Sequence, residues 1–445
     1  MPLLALLTLA GPAHAFCGTY VGQAGTSLYN GASQVVISRQ GTRTTLTLAN
    51  DYEGDATAFA LLVPVPKVLG PDDVAVVDPA LFGRLDAYSG PRLVAYTCEQ
   101  LHPAYDTATM ADSDDGGAEG SPAEDSVTVE ASFTAGEYDI VVLSAEESGG
   151  LLEWLDANGY GVDDAAAALL GEYIDGGAYF FAAKVALERL PDGASYLSPL
   201  RFGYESDVFG LPIRLGTLNS PGIQDLIVYA VNDYASGSVG VSNYPEATIE
   251  QECMFRVGDY ATFGEFYGAQ FADAMATQER ASWVREYAWG GGGCDPCSGE
   301  PPSDADLAAV GFVGTSTDAF FTRLHLRYGA GAADQDLVLY PSNDPTASQV
   351  RYIQYAEELE ADFPICGVGF VTDGGSCDAA TDDVPPLGDP GGSGLGGPDP
   401  ECACGTPSPT GAALWAFAAM LAGFRGRRRP ARAPLPLKSH EGAPL

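Results

Sequence analysis

Two strand-length runs rich in β-branched residues, QVVISR at 34–39 and RTTLTLAN at 43–50, flank the short glycine-containing turn Gln40-Gly41-Thr42. That pattern predicts a β-hairpin and commits this part of the chain to sheet. The run AFALLVPVP at 58–66 is continuously apolar and closed by prolines, as a buried strand would be. Asp78-Pro79 supplies a cap and a first helical position to a short helix over 78–87.

A second pattern begins at Ser126. SVTVEASFTAGEYDIVVLSA reads as two strands. SGGLLEWLDANGY reads as a capped helix closing at Asn158-Gly159, and DDAAAALLGEYIDGG as a second helix with Ala and Leu at helical spacing. AYFFAAKVAL returns to strand. This strand–helix–helix–strand module predicts both helices on one face of a sheet. Further on, LRFGYES, PIRLGTLN and QDLIVYAVN read as strands, 262–289 as mostly helical, and DAFFTRLHLRYG, QDLVLYPS and VRYIQYAEEL as strands again. The expected class is α+β with mixed or antiparallel sheets. The expected division is a β-rich subdomain over 16–125 packed against an α+β subdomain over 126–372, on either side of an acidic loop near 103–125.

The two ends differ from the body. Residues 2–13 are almost wholly apolar and lead into Ala13-His14-Ala15. This small-x-small site predicts a signal peptide over 1–15, cleaved between Ala15 and Phe16. Lipidation at Cys17 is the rival, but Phe16 stands where a lipoprotein signal needs a small residue. At the other end, a Gly/Pro/Asp-rich linker covers 373–401. Cys402 and Cys404 follow, then an apolar stretch at 411–424 and the basic cluster Arg425, Arg427, Arg428 and Arg429. A tail over 430–445 completes the chain. The apolar stretch is shorter than an ordinary span, and the arginines behind it would stay in the cytoplasm, leaving the body outside. The segment 402–429 resembles the MYXO-CTERM class of sorting tags. That resemblance implies processing near Cys402 and Cys404, a membrane contact through this segment, and sorting machinery as a partner. An ordinary single-span anchor is the plainer alternative.

Acidic residues number 60 against 21 basic ones, a formal charge of −39. Such a surface repels nucleic acid, so DNA and RNA binding are discounted. The acidity fits solubility outside the cell. Asp112, Asp114 and Asp115 lie in ADSDDGGAEG, where the glycine comes one place too early for a calcium loop, so the run reads as an acidic loop.

Seven of the nine cysteines lie outside the tag: Cys17, Cys98, Cys253, Cys294, Cys297, Cys366 and Cys377. All are disulfide candidates in an exported chain. Cys294-Asp295-Pro296-Cys297 is the most specific short motif, compatible with a local disulfide, half a zinc site or a redox dithiol. Four glycines precede it and Ser298-Gly299-Glu300-Pro301-Pro302 follows, so no helix starts there to acidify a thiol, and a structural disulfide is preferred. Histidine is scarce: beyond the two ends only His102 and His325 remain. With no H-E-x-x-H and no G-x-S-x-G, no metal site, cofactor or catalytic residue is expected. Along FFTRLHLRY, strand alternation puts Arg323, His325 and Arg327 on one face, with Leu324, Leu326 and Tyr328 on the core face. The basic stripe would hold an anionic ligand unless nearby carboxylates neutralise it.

Several segments together resemble a bacterial family without assigned function, domain of unknown function twenty-three-thirty. They are AFCGTYV, SQVVISR, LANDYEGDATAFALLVPVP, LDAYSGPRLVAY, GEYDIVVLSAEESGGLLEWLDANGY, PIRLGTLNSPGIQDLIVYA, EYAWGGGGCDPC and FFTRLHLRYG. The resemblance implies a secreted or envelope protein and brings no reaction with it. The reading is an exported, surface-anchored envelope protein of binding or structural character. The alternative is an extracytoplasmic thiol–disulfide oxidoreductase using Cys294 and Cys297.

Overall fold

The computed structural model describes residues 19–22, 33–50, 59–96, 129–144, 148–186, 189, 197–219, 223–258, 260–278, 280–329 and 331–372. After β1 (Thr19–Gly22), the expected hairpin forms from β2 (Ser33–Gln40) and β3 (Arg43–Asn50). Its register runs from Ser33 opposite Asn50 to Gln40 opposite Arg43. Gly41 closes it at φ +56, which only a residue without Cβ adopts freely. The apolar run becomes β4 (Phe59–Val65), followed by β5 (Val74–Val76), α1 (Ala80–Ser89) and β6 (Arg92–Val94). Asp78 accepts from the Ala80 N–H at 2.9 Å, but the cap position of α1 is held by Pro79, one residue later than the sequence implies.

The second pattern folds as read. β7 (Val129–Ala135) and β8 (Tyr138–Leu143) turn at Gly136. α2 (Ser148–Ala157) ends where the Tyr160 N–H reaches back to the Leu155 carbonyl at 2.9 Å across Gly159 at φ +83. α3 (Asp164–Asp175) starts at Asp163, whose side chain accepts from the Ala166 N–H, and β9 (Tyr179–Val185) follows. The remainder comprises β10 (Leu200–Glu205), β11 (Gly210–Leu211), β12 (Gln224–Asp233), β13 (Val239–Val241), β14 (Met254–Phe255) and α4 (Phe263–Ala276). Then come β15 (Ser282–Gly290), α5 (Asp304–Ala309), β16 (Ala319–Tyr328), β17 (Leu337–Pro341), β18 (Ser348–Gln349) and β19 (Arg351–Gln354).

Two large sheets organise these elements. One is antiparallel, in the order β1-β4-β9-β8-β7. The other runs β18-β15-β16-β12-β2-β3-β10-β5 and is mixed, because β12 pairs parallel with β2. Their inner faces meet: Leu61, Val63, Ile140 and Phe181 of the first pack with Val35, Leu46, Phe202 and Leu324 of the second. Each fully buried side chain of this size contributes ~1.5–3 kcal/mol of apolar transfer. On its outer face the first sheet is covered by α2 and α3, through Leu151, Leu155, Leu170 and Ile174 against Leu62 and Phe180. The module therefore places both helices on one face, as the sequence implies. The chain is α+β.

Three expectations change. The division at 125/126 does not separate sheets, since β1 and β4 join β7–β9, and β2, β3 and β5 join strands from beyond residue 200. PIRLGTLN is not a strand; it carries a short 3-10 turn at Leu215–Asn219, because the Ile213 and Arg214 N–H groups are bound by the Asp336 carboxylate instead of a ladder. The span 262–289 is only half helical: α4 ends at Ala276 and SWVREYAWG becomes β15, between β18 and β16. Among the described residues no helix is long and apolar enough to cross a membrane. The segment 411–424 lies outside them, as does the acidic run with Asp112, Asp114 and Asp115.

Candidate functional site

Alternation along β16 does what the sequence implies: Leu324, Leu326 and Tyr328 enter the core between the sheets, and Arg323, His325 and Arg327 take the other face. That face is covered by α1 and α4. The partner strand β15 shifts register between Arg285 and Tyr287, and Glu286 sits at the irregularity. A bulge of this kind re-aims one side chain, and here the carboxylate meets the basic stripe.

The contacts are dense. Arg323 donates through Nε to Glu286 and through Nη1 to Asp86 of α1, the latter at 2.6 Å. His325 Nδ1 lies 2.8 Å from Glu286 Oε1, and its ring stacks on Phe271 of α4 with centroids 3.8 Å apart. The Tyr267 hydroxyl, also from α4, donates to Glu286. Arg327 grips Asp225 of β12 with two hydrogen bonds of 2.7 Å. Glu286 is 1% exposed and Arg323 5%. Burial alone would raise the Glu286 pKa, but His325 and Arg323 beside it, with hydrogen bonds from His325 and Tyr267, pull it down to about 2. Burial likewise disfavours the Arg323 cation, yet Tyr229, Glu286 and Asp86 around it hold it well above the ordinary arginine value.

Each of the three basic residues is matched to a carboxylate from within the fold, so the stripe acts as a clamp between elements. Both Glu286 oxygens already accept hydrogen bonds. The remaining ring nitrogen of His325 faces Asp225 at 3.8 Å. What the arrangement does is tie α1 and α4 to the sheet. Removing one member of such a buried ionic set costs far more than the set is worth against an apolar replacement.

Next to the clamp, Cys294 and Cys297 are bonded to each other in the turn after β15. Three hydrogen bonds fix that turn. Tyr88 donates to the Gly293 carbonyl at 2.8 Å, Gln349 to the Asp295 carbonyl at 2.6 Å, and Ser298 to the Ala87 carbonyl at 2.6 Å. The next helix, α5, starts only at Asp304 behind the Ser303 cap, so no helix N-terminus points at either sulfur. Cys253, 1% exposed, is bonded to Cys366 across a separation of 113 residues. Cys17, Cys98, Cys377, Cys402, Cys404, His102 and the Ala15–Phe16 site lie outside the described residues. Among the described residues no cluster of His, Cys, Asp and Glu could hold a metal ion.

The sequence reading named the cations and missed their partners. Glu286 lay in a segment read as helical, where its place opposite β16 was invisible. Asp225 could have been found only from the β12–β16 register, which sets it directly opposite Arg327.

Neither the comparison with curated proteins nor that with solved structures gave a match. A family model does match, over residues 11–339, about three quarters of the chain. The matched range takes in the β2–β3 hairpin, the α2 helix, the Cys294–Cys297 turn and β16. The chain thus belongs to the bacterial family described as "Uncharacterized protein conserved in bacteria (DUF2330)".

Proposed function

We propose that the protein is exported and held at the cell surface by its C-terminal segment, and that its body binds or braces rather than catalyses. The observation that carries this reading is the buried Cys253–Cys366 bond. Bonds of this kind persist in oxidising compartments and are rare in the cytosol. The apolar run ending at Ala13-His14-Ala15 and the Cys–apolar–arginine order of 402–429 support the same orientation. The fully satisfied Glu286 clamp supports a structural role for the most polar part of the interior. Fractionation of cells tests the reading. Full-length protein belongs with the envelope, a chain lacking residues 2–15 stays in the cytoplasm, and a chain cut after Pro400 appears in the medium. A truncated chain that remains with the membrane would place the anchor elsewhere, and export of the chain lacking residues 2–15 would remove the signal.

A second reading, thiol–disulfide oxidoreductase, rests on the solvent-exposed Cys297 within a closed C-x-x-C. The next helix begins only at Asp304, so its N-terminus is not at the motif to acidify a thiol. Purified protein is therefore expected to show no insulin reduction. Turnover that disappears in the Cys294→Ser/Cys297→Ser double variant would promote this reading over the first.

A further inference from the structure

A cleft of about 340 Å³ opens where the C-terminal end of α3, the end of β4, the β10–β11 segment and β17 converge. Its volume falls in the range of small-molecule sites. The walls are apolar: Pro66, Tyr204, Pro212 and two exposed valines, Val208 (63% exposed) and Val338 (44%). Its polar side is formed by Tyr173 and Asp336.

The polar side is negative, and the residues that line the cleft include no Lys or Arg. Asp336 Oδ1 accepts from Tyr173 Oη at 2.8 Å and from the Ile213 and Arg214 N–H groups at 2.9 and 3.2 Å. Tyr173 Oη lies equally close to Oδ2, leaving that oxygen able to accept another donor. Arg214 is nearby, but its guanidinium is engaged by Glu172 at 2.8 Å. The cleft is also bounded by Gly176, Gly177 and Ala178 just past α3. The last turn of α3 carries no basic residue. Burial raises the Asp336 pKa, against the hydrogen bonds from Tyr173, Arg214 and Ile213 and the charge of Arg214.

We propose that this cleft is a binding site for a small organic cation, an ammonium group on an apolar or aromatic body. The ammonium donates to Asp336 Oδ2 and lies near the end of α3, while the body covers Val208, Val338 and Pro212. The formal charge of −39 adds long-range attraction for such a ligand. The inference stands on the cleft alone and is independent of where the protein resides.

The test is calorimetric titration of the full chain with phenethylammonium, beside its neutral near-isostere phenethyl alcohol. About 0.15 M salt suppresses diffuse binding to the acidic surface. Saturable one-to-one binding of the ammonium is expected, with the alcohol about tenfold weaker or worse. Asp336→Asn keeps the shape of the side chain and is expected to lower ammonium affinity to that of the alcohol. Val338→Trp fills the cleft from an exposed position, so it is expected to abolish binding without changing the thermal melt. No saturable binding, equal affinity for ammonium and alcohol, or undiminished binding by Val338→Trp would each overturn the proposal.

Discussion

Glu286 is the residue on which the interior polar network turns. It joins His325, Arg323 and Tyr267, and through Arg323 it reaches Asp86 on α1. Glu286→Gln removes the charge and leaves Arg323, at 5% exposure, with Asp86 as its remaining anion. A loss of ~3–5 kcal/mol is expected in urea unfolding at neutral pH. The pH dependence gives a sharper check. Glu286 titrates near 2 in the folded chain and near 4.5 when unfolded, so its contribution is complete above pH 4.5 and is lost as pH falls towards 2. The gap between wild type and Glu286→Gln should therefore shrink from neutral pH to pH 3. A gap that stays constant would mean that the charge of Glu286 is not what the clamp uses.

Elements were legible where local chemistry alone decides them. The Gly41 hairpin and the Asn158-Gly159 helix stop are read from single residues, because positive φ is local. What failed was set by distant parts of the chain. Residues 212–219 leave the strand pattern because a carboxylate over a hundred residues away holds their N–H groups. SWVREYAWG joins the sheet because β16 and β18 flank it. The site follows the same rule: the alternation of Arg323, His325 and Arg327 was visible, but Glu286, Asp225 and Phe271 reach them only through tertiary contacts. The Asp336 cleft had no sequence signal, since four separate segments build it. The disulfides divide likewise. Cys294–Cys297 is a local clip, whereas Cys253, just before β14, is joined to Cys366 from a segment far along the chain that bridges to β14 at Met254. In the chain-entropy picture, losing the long closure costs about 5 kcal/mol and losing the short one about 2 kcal/mol. Paired Cys→Ser replacements should therefore differ in that order by chemical denaturation. Equal losses would mean that chain entropy does not set their contributions.

At the scale of the whole molecule, two sheets face each other across one core, helices cover the outer faces, and strands from both halves of the sequence interleave. Within it the buried Glu286 carboxylate is hydrogen-bonded through both oxygens, and the C-x-x-C is clipped into a turn. An acidic surface and cysteine closures suit a protein that works outside the cytoplasm, and that is the central claim. It is tested most directly by mapping cysteine state and N-terminus together, by mass spectrometry, on protein taken from the cell envelope after alkylation without reductant. The expected result is a chain beginning at Phe16 with Cys253 linked to Cys366 and Cys294 linked to Cys297. A chain beginning at Met1 with all four of those thiols alkylated would contradict it.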